Sequence, residues 1–299
     1  LRVGKRAARW RLSSGHTEAD QASATLQTLA VNARLYSQQP TGGDMRRVVF
    51  NQKGGVGKSS IACNLAAISA ASGLRTLVVD LDAQANAMQY LTGLTGSDVP
   101  LGIADFFKLT LDPGPADKKP RAHIHHTPFE NLDLIAASAE LRDLQPKLEV
   151  RYKVQKLGKL LKRMAGDYDR IYLDTPPGLN FYSLSALIAA DRCLIPFDCD
   201  SFSRQTLYAV LREIEEIQED HNENLILEGI VVNQLQSRTS LPLKLLEELN
   251  SEGLPILPTH LMSSVKMRES HSACMPLIYL DPNHKLTLQF QALFDLLEA

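Results

Sequence analysis

Lys53-Gly54-Gly55-Val56-Gly57-Lys58-Ser59 is the stretch of sequence that decides the fold. The apolar run Val48-Val49-Phe50 comes shortly before it and predicts a buried strand, and residues 61–67 after it have the composition of a helix. A strand, a glycine-rich loop and a helix N-terminus in this order are typical of a P-loop, a turn that binds phosphate. Glycines allow backbone N–H groups to turn inward around an anion, and the helix dipole adds partial positive charge there.

Two side chains of this stretch are suited to a nucleoside triphosphate. Lys58 is expected to reach the β- and γ-phosphates, and the Ser59 hydroxyl is expected to bind Mg²⁺. The general pattern G-x-x-x-x-G-K-[ST] requires glycine at position 52, where this chain has Gln52, and a second lysine, Lys53, follows directly. An ordinary glycine-rich turn is the alternative interpretation.

Two further apolar runs end in aspartate, where the carboxyl ends of parallel strands would lie beside the P-loop. In Leu77-Val78-Val79-Asp80-Leu81-Asp82 the two aspartates are two residues apart. In an extended chain such residues share one face, so both carboxylates can point toward a nucleotide. The second run is Ile171-Tyr172-Leu173-Asp174, and a single carboxylate after a buried strand can hold the hydration shell of Mg²⁺. The Pro176-Pro177-Gly178 turn that follows suits a switch segment that senses the γ-phosphate.

With Lys53 in front of the glycines, residues 53–59 resemble the deviant Walker A motif of the ParA/MinD superfamily of dimerising ATPases. Residues 80–84 resemble that family's D-x-D-P-Q segment, with Ala83 in place of proline, and residues 174–177 resemble its Walker B sequence D-T-P-P. Residues 131–138 look like its N-L-D-L-I-P-A-S strand. The similarity extends from about Met45 to the C-terminus and is closest to ParA-type partition ATPases without an N-terminal helix-turn-helix domain.

The resemblance implies a role for each of these residues. Lys53 would reach across a dimer to the partner's nucleotide and Asp82 would position the attacking water, which makes Lys53, Lys58 and Asp82 the candidate catalytic residues. Asp80 would support Mg²⁺ or the geometry of a switch, so the candidate metal residues are Ser59, Asp80 and Asp174. The candidate nucleotide-binding residues are Lys53, Gly54, Gly55, Val56, Gly57, Lys58, Ser59, Ser60 and, near the adenine base on fold analogy, Asn233.

The resemblance also implies an activity. The chain would form a homodimer on binding ATP and Mg²⁺ and attach non-specifically to DNA, and a partner protein of the ParB type or another cargo adaptor would stimulate ATP hydrolysis. Because no strong general base is visible, we expect slow turnover. The expected function is partition of a plasmid or chromosome, in the cytoplasm and on the nucleoid. The alternative is an ATPase that positions or regulates a protein assembly, such as a secretion, flagellar or polysaccharide-synthesis complex.

Two groups of basic residues could contact DNA. Residues 147–163 carry seven basic residues against Glu149 alone, and the apolar residues among them recur at helical spacing. This pattern predicts one amphipathic helix over residues 150–165 whose outer face binds DNA without sequence preference, although a solvated helix surface is the alternative. By resemblance, Lys266 falls on the family's DNA-contacting arginine. The candidate DNA-binding residues are Lys153, Lys156, Lys159, Lys266 and Arg268, and Arg238 adds a further basic side chain.

From Met45 onward strands and helices alternate, which predicts an α/β fold with a doubly wound, mostly parallel sheet of the P-loop NTPase type. Residues 1–44 have a net charge of +3 and no sustained periodicity, so we expect a disordered or mis-annotated extension before one ATPase domain at residues 45–299. We expect strands at residues 47–51, 76–80, 132–136, 170–174, 192–196 and 228–233, and helices at residues 58–72, 150–165, 183–190, 203–220, 241–251 and 284–297.

Composition disfavours several other classes of protein. The 299 residues carry a formal charge of −2, and no apolar run approaches the ~20 residues that a membrane span needs. The C-terminal helix has a single lysine, which disfavours membrane attachment. Four scattered cysteines show neither metal-ligand spacing nor the pattern of an iron–sulfur electron carrier. The histidines at positions 123, 125 and 126 are expected to be solvated in a surface loop rather than to bind a metal.

Overall fold

The computed structural model describes residues 44–95, 101–112, 120–199, 203–236 and 240–299. The expected N-terminal extension, apart from Asp44, and Arg238 lie outside the described residues. No helix in the described part of the chain is both long and apolar enough to cross a membrane.

The centre of the molecule is a seven-stranded sheet in the order β3-β4-β2-β5-β1-β6-β7. All neighbouring strands are parallel except β3, which runs antiparallel to β4. The predicted α/β fold with a mostly parallel sheet is therefore confirmed. The strands are β1 Met45–Val49, β2 Thr76–Asp80, β3 His125–His126, β4 Leu132–Ile135, β5 Arg170–Asp174, β6 Arg192–Asp198 and β7 Ile226–Asn233.

Helices cover both faces of the sheet, which explains why its central strands are apolar and buried. The helices are α1 Lys58–Ala71, α2 Asn86–Thr92, α3 Ile103–Leu111, α4 Leu141–Val150, α5 Lys156–Lys162, α6 Phe181–Ala189, α7 Ser203–Asp220, α8 Ser240–Ser251, α9 Val265–Ser272, α10 Leu277–Leu280 and α11 Lys285–Glu298.

The order of the strands assigns the helices to the two faces. The crossover from β1 through α1 to β2 runs toward the β3 edge, whereas the crossovers that follow β4 run back toward β7. Because such crossovers are right-handed, α1 lies on one face and α4, α5, α6 and α7 lie on the other. Helices α10 and α11 pack against α1, and α4 and α5 pack against α6.

The predicted helix over residues 150–165 is wrong. Helix α4 ends at Val150, a turn follows, and α5 covers only Lys156–Lys162. Tyr152 adopts the left-handed conformation with φ 50°, and the N–H of Lys153 donates to the carbonyl of Leu148, as in a helix-ending Schellman motif. Val150, the first apolar residue of the predicted amphipathic helix, is 78% exposed, whereas Leu157 is buried.

The expectation of solvated histidines is wrong for His123. Its side chain is buried, and its Nδ1 lies 3.1 Å from the carbonyl oxygen of Gly102. His126 lies in β3 and pairs with Asp133, with 2.7 Å between Nδ1 and Oδ1. The described residues contain no group of three or more histidine, cysteine or acidic side chains placed to hold a metal ion.

Candidate nucleotide site

The ends of five strands bring the predicted site residues to one edge of the sheet. The P-loop follows β1, Asp80 and Asp174 end β2 and β5 in matching register, and Asp198 and Asn233 end β6 and β7 in matching register. In open parallel sheets this carboxyl edge is where ligands bind. The residues that the sequence placed near the glycine loop are thus together, and Asp198 joins them.

The P-loop has the backbone of a phosphate cradle. Gly57 has φ 90° and stands directly before α1, so it occupies a conformation that favours glycine. A Cβ at this position would also lie 2.3 Å from Nδ2 of Asn233. No other residue fits here without moving that neighbour, so the loop can approach a ligand as bare backbone.

Two amides from the end of β7 brace this loop. Asn233 donates through Nδ2 to the carbonyl oxygen of Val56 at 2.9 Å, and Gln234 donates through Nε2 to that of Gly55 at 2.9 Å. The two carbonyls are occupied on that side, which favours N–H groups that face the ligand. Asn233 also lines the adjoining cavity, and its expected place near an adenine base stays a prediction.

Lys58 is buried at the first position of α1, and its Nζ donates to the carbonyl oxygen of Lys53 at 3.0 Å. Burial lowers the pKa of Lys58, while the charges of Asp174 and Asp82 oppose that change. The amine therefore closes the loop on itself in this conformation. It would have to leave that carbonyl in order to reach a phosphate.

Lys53, at the front of the loop, is held by its own chain. Its Nζ lies 3.6 Å from Oδ2 of Asp198, and the two side chains are 29% and 32% exposed. Its backbone N–H donates to Oδ1 of Asn51 at 2.9 Å, which sets the direction in which the loop begins. Asp198 was missed by the sequence analysis, because an aspartate at a strand end gives no signal of its lysine partner.

Asp80 is fully buried, and its two carboxylate oxygens accept from backbone groups. Oδ1 accepts from the N–H of Asp82 at 3.1 Å, and Oδ2 accepts from the N–H of Met88, in α2, at 3.0 Å. Burial and the neighbouring Asp174 raise the pKa of Asp80. Of the two predicted roles, this geometry favours support of the geometry of a switch, here the segment from Asp82 to Met88, since both carboxylate oxygens already accept from its backbone N–H groups.

Asp174 differs from Asp80, because both of its buried oxygens lack a hydrogen-bond partner among the described residues. Burial raises its pKa to about 7, and the nearby Ser59 hydroxyl and the Lys58 charge reduce the rise. A buried, unpartnered carboxylate is costly, so this group is suited to a cation or its water shell. The donor set of Ser59 and Asp174 beside a glycine cradle fits Mg²⁺ carried by a nucleotide.

Asp82 and the Pro176-Pro177-Gly178 turn also lie beside the P-loop. Asp82 is partly exposed on the cavity wall, where its Oδ1 accepts from the N–H of Gln84 at 2.9 Å. The Pro-Pro-Gly turn contacts the P-loop through the N–H of Gly178, which donates to the carbonyl of Gln52 at 2.9 Å. Thr175 is buried and donates to the carbonyl of Val49 at 2.7 Å. A change at bound phosphates would therefore directly affect Asp82 and the Pro-Pro-Gly turn.

A cavity of about 1100 Å³ extends from the P-loop to α9, larger than the phosphate cradle alone. Its far wall includes residues that sequence reasoning did not assign to it, namely Tyr90, Met262, Arg268 and His271. Arg268, predicted to contact DNA, faces this cavity. Lys266 is 25% exposed and pairs with Glu269 at 2.8 Å and Asp281 at 3.5 Å, so its charge is largely neutralised.

The other candidate DNA surface lies on the opposite face of the sheet. Lys153 and Lys156 are partly exposed and Lys159 is exposed, and no acidic side chain in the described ranges pairs with any of the three. We call these three lysines, on α5 and the turn before it, the lysine patch. It is separate from Lys266 and Arg268, so the two groups of basic residues form two separate candidate surfaces for DNA.

Several known proteins are similar to this chain in sequence. A family model described as an AAA domain matches residues 46–227. The sporulation initiation inhibitor protein Soj of Bacillus subtilis is 32% identical over 244 residues, which cover 79% of this chain and 91% of that protein. The chromosome partitioning protein ParA of Myxococcus xanthus is 30% identical, with 79% and 82% covered.

Solved structures share the fold. Cobyrinic acid a,c-diamide synthase from Mycobacterium smegmatis, with bound ATP analogue and magnesium, superposes with a TM-score of 0.73 at 24% identity, covering 84% of this chain and 93% of that one. The cell division ATPase MinD of Pyrococcus furiosus gives a TM-score of 0.69 at 21% identity, covering 85% and 98%. With the P-loop and its front lysine in place, and with these relatives, the chain belongs to the ParA/MinD superfamily of P-loop ATPases.

Proposed function

We propose that this chain is an ATP-hydrolysing switch for partition of DNA, which dimerises around ATP and Mg²⁺ and binds DNA non-specifically in that state. The observation that carries the proposal is that Lys53, at the front of the glycine cradle, and the buried, unpartnered Asp174 lie at the same carboxyl edge of the sheet. The relatives named Soj and ParA support partition as the process.

The site residues divide the chemistry among them. The P-loop N–H groups and Lys58 would bind the phosphates, and Ser59 and Asp174 would hold Mg²⁺, which when bound neutralises charge on the β- and γ-phosphate oxygens. Asp82 would orient the attacking water. Phosphoryl transfer needs positioning and charge neutralisation more than a covalent group, so these residues suffice for slow hydrolysis.

Dimerisation would complete the site. Lys53 would leave Asp198 and reach the nucleotide of the second subunit, which makes ATP a part of the interface. The two protomers of such a dimer are related by two-fold symmetry, so each would give one lysine and receive one. A cargo-bound partner protein would then stimulate hydrolysis and release the dimer.

Contact with DNA is assigned to the lysine patch. No acidic residue of the described chain pairs with these three lysines, whereas Lys266 pairs with Glu269. Residues 45–299 carry a net charge of −5, from −2 overall less +3 for residues 1–44, so a local cluster has to supply the affinity. Phosphate contacts by a few lysines give binding that depends strongly on salt and little on sequence.

One experiment tests the ATPase and the dimer together. ATP hydrolysis and oligomer size are measured with and without duplex DNA at two salt concentrations, for the wild-type protein and two variants. Lys58→Ala is expected to abolish ATP-dependent dimerisation, whereas Asp82→Ala is expected to bind ATP, accumulate dimer and stall hydrolysis. ATP-independent oligomer size in the wild type, or normal turnover in Asp82→Ala, would contradict the proposal.

The DNA assignment has its own variant. Replacing the lysine patch by glutamate is expected to weaken DNA binding and to flatten its salt dependence by roughly one unit of slope for each phosphate that is no longer neutralised, with ATP affinity unchanged. The matched control makes the same three charge changes at Lys244, Lys285 and Arg212, which are exposed on other helices. Equal DNA retention by both triple variants would remove the patch from the proposal.

The alternative is a positioning ATPase whose cargo is a protein assembly. The fold shared with MinD, a cell division ATPase, is compatible with it. ATP-dependent dimerisation without any DNA binding at low salt would favour this alternative over partition.

A further inference from the structure

Ser60 has a partner that the nucleotide chemistry described above does not use. The Nε2 atom of His271, on α9, lies 3.0 Å from the Oγ atom of Ser60, on α1. Ser60 directly follows Ser59 at the start of α1, and both Ser60 and His271 line the cavity beside the P-loop. A histidine from the C-terminal part of the chain therefore touches a side chain at the phosphate end of the site.

The position of His271 is fixed from behind. Its ring lies edge to face against that of Tyr90, with centroids 4.5 Å apart and planes at 64°. The hydroxyl of Tyr90 is 2.5 Å from Oγ of Ser270, the residue before His271, and 3.1 Å from Nδ2 of Asn64 on α1. Tyr90 and Ser270 are buried, so α9 is anchored at the residue that precedes the histidine.

The chemistry of a hydroxyl decides what this contact can do. Ser60 has one hydrogen to donate and two lone pairs that accept. If it donates to His271, it has nothing to donate to a phosphate. If His271 donates its Nε2–H to Ser60, the hydroxyl hydrogen must point elsewhere, and the cradle is the place nearby where an acceptor would arrive. Burial lowers the pKa of His271, so a neutral ring with a single N–H is the dominant form at neutral pH.

We propose that His271 is a positioning residue for the nucleotide, which donates its Nε2–H to Ser60 and thereby directs the Ser60 hydroxyl toward the phosphates. This inference rests on the proposed binding of ATP at the P-loop. It adds α9 to the nucleotide site: a helix more than 200 residues from the P-loop in sequence sets the direction of a donor inside the cradle.

Three variants separate positioning from packing. His271→Phe keeps a ring against Tyr90 and removes the donor, whereas His271→Gln keeps an N–H donor close to the Nε2 position. Ser60→Ala removes the hydroxyl that His271 orients. His221→Phe is the matched control, because it makes the same change at an exposed histidine that directly follows α7 and lies outside the cavity beside the P-loop.

ATP–Mg²⁺ affinity is measured by titration calorimetry for the wild type, these variants and the double variant Ser60→Ala/His271→Phe. His271→Phe is expected to weaken binding about three- to tenfold, as for one lost hydrogen bond, while His271→Gln and His221→Phe stay within about twofold of the wild type. The double variant is expected to bind no more weakly than Ser60→Ala alone, because His271 acts through Ser60.

Each outcome decides the inference. Unchanged affinity in His271→Phe, additive losses in the double variant, or an equal loss in His221→Phe would overturn it, since each shows that the ring does not act through Ser60. A wild-type protein that binds no ATP would overturn the proposed function as well. Wild-type binding with unaltered variants would overturn this inference alone.

Discussion

At the scale of one residue, the proposed Mg²⁺ ligand Asp174 is buried at the expense of stability. Its carboxylate is fully buried, and neither oxygen has a partner among the described residues. Asp80, its register partner on the adjacent strand β2, is equally buried but accepts hydrogen bonds from two backbone N–H groups. An unpartnered buried charge destabilises the free protein, and a bound cation would relieve that cost.

Asp174→Asn is therefore expected to stabilise the nucleotide-free protein by about 1–2 kcal/mol, because it removes a buried charge. The same change is expected to weaken Mg²⁺-dependent ATP binding tenfold or more. Urea denaturation at pH 8 with a metal chelator measures the first effect, and calorimetry measures the second. Asp82→Asn is the control, since that side chain is partly exposed and its change should leave stability within about 0.5 kcal/mol. A destabilised Asp174→Asn protein would contradict this account.

Lys53 and Asp198 form a second residue-scale feature, a contact within one chain that dimerisation would have to break. The charges are 3.6 Å apart and partly exposed, so the pair is worth less than about 1 kcal/mol. Asp198→Asn is expected to lower the ATP concentration for half-maximal dimer roughly two- to fivefold, because the lysine loses a contact within its own chain that dimerisation would have to break.

Sedimentation velocity across an ATP titration measures that shift. Asp295→Asn, an equal charge change at an exposed position of α11, is the control. If Asp198→Asn dimerises only at higher ATP than the wild type, Asp198 supports the interface rather than opposing it.

At the scale of elements, the sequence predicts the sheet better than the helices around it. The predicted bounds of β2, β5 and α7 agree with the structure at both ends. Buried parallel strands are continuous apolar runs that end in polar residues, which is a local signal. The predicted helix over residues 150–165 failed because α4 ends at Val150, where the predicted helix begins, and because Tyr152, with no glycine signal, takes a left-handed conformation.

The same distinction applies to the site. The P-loop, Asp80, Asp82 and Asp174 were found because strand ends and motifs mark them locally. The partners Asp198, Gln234 and His271 come from distant segments, and only the fold brings them to the loop. Helices α2, α3, α4, α9 and α10 were not predicted, since they are short and their apolar residues follow no long period.

Tyr152→Gly is expected to stabilise the end of α4. Its φ of 50° is costly for a residue with a Cβ, and its side chain is 89% exposed, so little packing is lost. Relief of the left-handed strain, less the greater freedom of glycine in the unfolded chain, leaves a gain of about 0.5–1 kcal/mol. Denaturant midpoints measure it. Tyr152→Ala is the matched control, because it removes the ring and keeps the strain; equal stabilisation by both changes would show that the ring, not the backbone, is unfavourable.

At the scale of the whole molecule, one network of charges joins four strands to the C-terminal helix. Arg47 of β1 is fully buried and donates twice to Glu228 of β7, at 2.6 and 2.7 Å. It also lies 3.3 Å from Glu298 of α11, and Glu298 in turn accepts from Arg170 of β5. Arg192 of β6 is 3.8 Å from Glu228. The charges of Glu228 and Glu298 raise the pKa of Arg47 despite burial, so the arginine stays charged.

Loss of one member of such a buried charge network is strongly destabilising, whereas the intact network adds little net stability compared with apolar residues. The two effects can be measured separately. Glu228→Gln leaves the buried Arg47 without its main counter-charge and is expected to cost about 3 kcal/mol in unfolding free energy. The double change Arg47→Leu/Glu228→Leu removes both charges and is expected to cost clearly less than Glu228→Gln. Chemical denaturation of the wild type, Glu228→Gln and the double variant tests this order. ATP affinity below the unfolding transition should be the same in all three proteins, because the network lies near the amino-terminal ends of the strands and the P-loop at their carboxyl ends. A double variant less stable than Glu228→Gln would show that the ion pair itself, and not the avoidance of a lone buried charge, stabilises this sheet.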